Sequence, residues 1–83
     1  MTKFIIYGRS DCPYCIKVIT KLAKAKKCFY VEMLDDNSKR LQELKIKYDH
    51  PTVPIVIRVE EIEELVGGCD DTLELIKKGE NNE

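Results

Sequence analysis

The apolar positions of this chain fall into four short continuous runs separated by three segments of helical spacing. Phe4-Ile5-Ile6-Tyr7 is unbroken, the pattern of a strand covered on both faces, and it predicts β structure over Lys3 to Gly8. After the loop Gly8-Arg9-Ser10-Asp11, Cys15, Val18, Ile19 and Leu22 recur at spacings of three and four with Lys17, Lys21 and Lys24 opposite, which predicts a helix. Ser10 or Asp11 can cap it, and its lysine-rich end, Lys24 to Lys27, complements the helix dipole. Cys28 to Leu34, rich in aromatic and branched residues, reads as a second strand that Cys28 opens as a small buried hydrophobe. Strand, helix and strand within about thirty residues form the right-handed parallel crossover. Asp35-Asp36-Asn37-Ser38 offers caps for a second helix to about Tyr48, with Leu41, Leu44 and Tyr48 on one face. Pro54 cannot donate to a ladder, so it stands at the start of the next strand, Ile55 to Val59. Glu64 to Val66 completes a hairpin whose connection, Glu60-Glu61-Ile62-Glu63, holds none of the usual turn residues. Gly67-Gly68 breaks the pattern. Asp70 or Asp71 can cap a last helix, Leu73 to Lys78, which Gly79 ends. The order is β-α-β-α-β-β-α, in one α/β domain over residues 1–79, with 80–83 a polar tail.

Composition narrows the class. Eighty-three residues make a single domain, and 43% apolar with 35% charged residues is the balance of a globular protein. Fourteen basic and fifteen acidic side chains leave a net charge of -1, so bulk electrostatics point to neither nucleic acid nor an anionic membrane. The lysines of the first half and the acidic residues from Glu60 to Asp71 read as solvated faces. No apolar run is long enough to span a bilayer, and the basic-then-apolar start of a signal peptide is missing. The expected compartment is the reducing cytoplasm, where four cysteines fit catalysis better than a disulfide framework.

The candidate chemistry lies in Cys12-Pro13-Tyr14-Cys15, at the junction of the first strand and helix. Two thiols at this spacing in a first helical turn face the same side and can close a disulfide with little backbone movement. Backbone amides at the helix start favour negative charge on the first sulfur. Cys12 is therefore the expected attacking thiolate and Cys15, one turn deeper, the resolving thiol. A structural zinc knuckle needs four ligands. Cys28 and Cys69 stand alone and His50, read as a surface histidine, has no ligand neighbour in sequence, so no metal is expected. A fixed structural disulfide does not suit a cytoplasmic chain.

Three motifs, Cys12-Pro13-Tyr14-Cys15, Thr52-Val53-Pro54 and Gly67-Gly68-Cys69-Asp70-Asp71, stand in the order in which glutaredoxins carry theirs, and the chain resembles that family over nearly its whole length. The resemblance implies a thioredoxin-like fold, a central four-stranded mixed sheet flanked by three helices. It implies a monomer that uses glutathione as co-substrate, without a metal, to reduce protein disulfides and glutathione mixed disulfides through Cys12 and Cys15. The implied partners are disulfide-bonded or glutathionylated proteins, with ribonucleotide reductase plausible at family level. Pro54 is then cis, and Val53 presents backbone groups to glutathione lying like an added strand. Gly68 allows close approach, and the amides of Cys69 and Asp70 meet the γ-glutamyl carboxylate. Asp70 or Asp71 holds the α-amino group, Arg9 faces the glycine carboxylate, and Tyr14 and Thr52 border the cleft. Two positions depart from the pattern: many members have a polar residue where Ile55 stands and a basic one where Pro51 stands, leaving those contacts absent or supplied by His50 or nearby lysines. The hairpin also lacks the usual glycine turn. Two other readings use the same residues, an electron donor reduced by thioredoxin reductase and a module in which Cys12 of two chains and two glutathiones ligate an iron-sulfur cluster.

Overall fold

The computed structural model describes residues 3–60 and 62–81; Glu61, in the predicted hairpin connection, and Asn82 and Glu83, in the predicted tail, lie outside the described residues. The elements in chain order are β1 (Lys3–Gly8), α1 (Pro13–Lys24), β2 (Cys28–Met33), α2 (Ser38–Lys47), β3 (Ile55–Val59), β4 (Glu63–Gly67) and α3 (Cys69–Asn81). The four strands form one mixed sheet in the order β2-β1-β3-β4. β1 runs parallel to β2, with Ile6 opposite Val31, and antiparallel to β3, with Ile5 opposite Ile57. β3 and β4 are antiparallel from Val59 opposite Glu63, with an irregularity between Val56 and Ile57. This is the thioredoxin-like architecture, with helices on both sides of the sheet.

Alternation along β1 divides the core in two. Phe4 and Ile6 point to the side where Val18 and Leu22 of α1 meet Val56, Cys69 and Ile76. Ile5 and Tyr7 point to the other side, against Leu41 and Leu44 of α2, Leu34, Ile55 and Ile57. Ile6, Val18, Leu22, Ile55 and Val56 have no exposed surface; burying each such side chain contributes about 1.5–3 kcal/mol. The continuous apolar run in β1 thus reflects two covered faces.

The caps differ from the sequence expectation. Neither Ser10 nor Asp11 caps α1, whose N-cap is Cys12 with no side-chain hydrogen bond and whose first residue is Pro13, a position where a missing N–H costs nothing. The reason is tertiary: the Ser10 amide and hydroxyl donate to Asp35 at 2.9 and 2.6 Å, and Arg9 Nε donates to Asp11 at 3.1 Å. The Leu34 amide also donates to the Gly8 carbonyl at 2.8 Å, so the β1–α1 loop is tied to the β2–α2 loop. Asn37 caps α2, its side-chain oxygen accepting from the Arg40 amide at 3.1 Å.

α3 starts at Cys69, ahead of the predicted Leu73. Asp70 and Asp71 lie inside its first turn and neither is the cap. Asp71 reaches back to accept from the Gly68 amide at 3.4 Å, and the Thr72 hydroxyl donates to the Gly68 carbonyl at 2.7 Å. Gly79 does not end the helix, which continues to Asn81; a glycine inside a helix costs only about 1 kcal/mol relative to alanine. Cys28 is exposed, against the expectation of a buried hydrophobe. β2 is an edge strand, and the side carrying Cys28 and Tyr30 is uncovered until Glu32, where Arg40 of α2 pairs with it.

Candidate active site

The two motif cysteines stand in unlike surroundings. Cys12, at the N-cap of α1, is half-buried, whereas Cys15 in the first turn has no exposed surface. Both are free thiols. The Cys15 and Ile16 amides donate to the Cys12 carbonyl at 3.1 and 3.2 Å, so this carbonyl opens the helical ladder. Gly8 makes room for the buried sulfur, since a Cβ there would lie 2.6 Å from Cys15 Sγ. Burial pushes the Cys15 thiol up to about 12; a hydrogen bond from the Arg9 backbone opposes this, and the neighbouring Cys12 reinforces it. Cys15 therefore keeps its proton at neutral pH, while Cys12 is the thiol that solvent reaches.

Beside the thiols, the Val53–Pro54 peptide is cis. A groove of about 620 Å³, within the range of ligand pockets, brings together Tyr14 from the start of α1, Thr52 and Val53 from the loop before β3, and Gly68, Cys69, Asp70 and Asp71 from the start of α3. Gly68 lies close to the carbonyl of Pro54, 3.6 Å from where its Cβ would stand. Its neighbour Gly67 has φ +126°, a conformation that residues with a side chain rarely adopt. Burial raises the Cys69 thiol pKa; Lys17 opposes that shift, and Asp70 and Cys12 add to it. Arg9 does not line the groove. Its guanidinium pairs with Asp11.

Two lining residues depart from the sequence reading. His50 is half-buried in the groove rather than a surface histidine. Its Nδ1 lies 2.9 Å from the Thr52 carbonyl, so in the neutral ring Nδ1 carries the proton, and its other edge lies 3.4 Å from where a Cβ on Gly68 would stand. Asp49, at φ 50°, turns the chain out of α2, and the His50 amide then donates to the Lys45 carbonyl at 2.9 Å. Lys45, named nowhere in the motifs, lines the same groove. The signal for both was the short distance in sequence from the end of α2 to Thr52. Among the described residues no group of three or more metal-ligating side chains is gathered.

The family model for Glutaredoxin matches residues 4–62. The chain belongs to the glutaredoxin family. No curated protein sequence matches it. Among solved structures, a wheat glutaredoxin is 29% identical, superposing with a TM-score of 0.77 over 92% of this chain and 73% of that one. The holo form of glutaredoxin C1 from Populus tremula x tremuloides is 26% identical, with a TM-score of 0.75 over 93% of this chain and 76% of that one. A dithiolic glutaredoxin from Trypanosoma brucei brucei is 29% identical, with a TM-score of 0.72 over 94% and 80%. Family membership supports thiol–disulfide oxidoreductase activity for this glutaredoxin.

Proposed function

We propose that this glutaredoxin is a glutathione-dependent reductase of protein disulfides and glutathione mixed disulfides, acting as a monomer in the cytoplasm. The observation that carries this reading is the groove from Tyr14 to Asp71 beside a half-exposed thiol and its buried partner. Val53 offers backbone groups to the cysteinyl part of glutathione, the amides at the start of α3 receive the γ-glutamyl carboxylate, and Asp70 or Asp71 holds its α-amino group. His50 and Lys45 stand in for the basic residue absent at Pro51 and receive the glycine carboxylate. Arg9 joins them only by leaving Asp11.

With a glutathionylated substrate, Cys12 thiolate attacks the glutathione sulfur and the substrate thiolate leaves and takes a proton; a second glutathione thiolate then attacks the glutathione sulfur bonded to Cys12, forming glutathione disulfide and releasing the Cys12 thiolate. With a protein disulfide, Cys12 forms the mixed disulfide and Cys15 loses its proton to attack Cys12. Two electrons pass to the substrate, and the resulting Cys12–Cys15 disulfide is reduced by two glutathiones. Turnover of a small glutathione mixed disulfide, coupled to glutathione reductase, tests the reading. Wild type and Cys15→Ser should both turn over, and Cys12→Ser should lose at least a hundredfold. No turnover in wild type, despite an oxidisable Cys12–Cys15 pair, would move the electron source from glutathione to thioredoxin reductase.

A further inference from the structure

A second concave surface lies between α1 and α3, outside the glutathione groove. Lys17, Lys21 and Lys24 follow one another at spacings of four and three on α1, so they share a face. α3 adds Lys77, and Leu73 and Ile76 form an aliphatic floor to a groove of about 460 Å³. All four lysines are exposed, and among the described residues the ion pairs are made by Arg9, Arg40 and Arg58 instead. Like charges one turn apart weaken a helix, so this row carries a cost that an anionic occupant would remove. Lys17 lies on α1 five residues beyond Cys12, the N-cap of the same helix, about 7.5 Å along its axis. The row therefore begins beside the redox site and leads away along α1 for roughly 10 Å.

We propose that the α1–α3 groove docks an acidic segment of the disulfide-bonded protein that this enzyme reduces. Its chemistry selects carboxylates on a peptide with an aliphatic anchor. Four ammonium groups around Leu73 and Ile76 match such a segment, with the apolar residue seated between the helices and its acidic neighbours on the rims. Nucleic acid fits less well, because no lining residue is aromatic to stack a base and none is an arginine to fork a phosphate. Docking there places the substrate sulfur at Cys12. The inference rests on the thiol–disulfide reading of the active site. In the reaction Cys12 and Cys15 together give two electrons to the peptide disulfide, becoming a disulfide themselves as two peptide thiols are released.

Single-turnover reduction tests the docking without any need for glutathione. Fully reduced enzyme is mixed with either of two peptides closed by the same disulfide, one flanked by Glu, Asp and Leu, the other by Lys and Leu. Wild type should reduce the acidic peptide at least tenfold faster at low salt, and the ratio should shrink severalfold at high salt as the charges are screened. Lys21→Glu/Lys24→Glu/Lys77→Glu, or the milder Gln replacements should the first fail to fold, should abolish the ratio. Reduction of a small neutral disulfide by the same variants should stay within twofold of wild type. Equal rates with the two peptides, a preference that survives the substitutions, or a preference erased by an equimolar oligothymidylate would overturn the docking. Failure of wild type on the small disulfide would instead overturn the oxidoreductase reading beneath it.

Discussion

At the scale of single residues, burial separates two cysteines that the motif spaces three apart. The pair was legible in the sequence; the depth of Cys15 followed from helix geometry, but the role of Gly8 in making space for its sulfur did not, because that contact crosses from β1 to α1. An ordinary thiol ionises near 9.0, and burial holds that of Cys15 up to about 12. A folded-state pKa above the unfolded one means that the unfolded chain gives up a proton the folded chain retains, so stability falls as pH climbs from about 9 towards 12. The same shift governs reactivity, since the thiolate is the nucleophile. In Cys12→Ser, iodoacetamide at mildly alkaline pH should label exposed Cys28 readily and leave Cys15 more than tenfold slower until the protein is unfolded, read by mass mapping. Equal labelling of the two would refute the burial argument. His50 shows the complementary limit. Its position two residues before Thr52 was visible, yet its place in the groove depends on the turn at Asp49 and on the space above Gly68.

At the scale of elements, every strand and helix was legible because the strands carry short unbroken apolar runs and the helices apolar residues at helical spacing. The caps were not, because a cap is decided by where a loop's hydrogen bonds go. Ser10, a fit cap by residue type, bonds instead to Asp35, twenty-five residues away; no local window contains that partner. The start of α3 was misplaced for a related reason. Its first turn carries Cys69, Asp70 and Asp71 in place of an apolar repeat, and it is closed by Gly68 bonding to Asp71 and Thr72. This junction positions the groove, and Gly67 is its pivot. A side chain there would meet φ +126° and stand 2.9 Å from the carboxyl carbon of Asp71. Gly67→Ala should therefore cost about 1–3 kcal/mol of stability, seen as a Tm lower by roughly 4–8 °C per kcal/mol. Under the proposed glutathione reading, it should also raise the glutathione KM severalfold by turning the Cys69 and Asp70 amides away. A variant with wild-type Tm and KM would show that the junction tolerates a Cβ and would remove Gly67 from the account of the groove.

At the scale of the whole molecule, strand order decides what a strand's sequence cannot. Cys28-Phe29-Tyr30-Val31 looks like core, and half of it is: Phe29 and Val31 pack on the α1–α3 side. Its other face stands at the sheet edge in the order β2-β1-β3-β4, leaving Cys28 exposed with Tyr30 58% and Met33 37% exposed on the same strand. An edge strand with free backbone groups and apolar side chains invites a second copy, and a net charge of only -1 offers little repulsion to keep copies apart. The reduced protein should still be a monomer, since nothing covalent joins the edges. Diamide, which takes two electrons from two thiols, should first close Cys12–Cys15 within one chain, where the two sulfurs are one helical turn apart. In excess it should then link two chains through Cys28. Non-reducing electrophoresis should show this dimer in wild type and in Cys12→Ser/Cys15→Ser, and not in Cys28→Ser. A dimer that persists without Cys28 would place the intermolecular bond at Cys12 and mean that the groove, rather than the sheet edge, is the surface through which two copies meet.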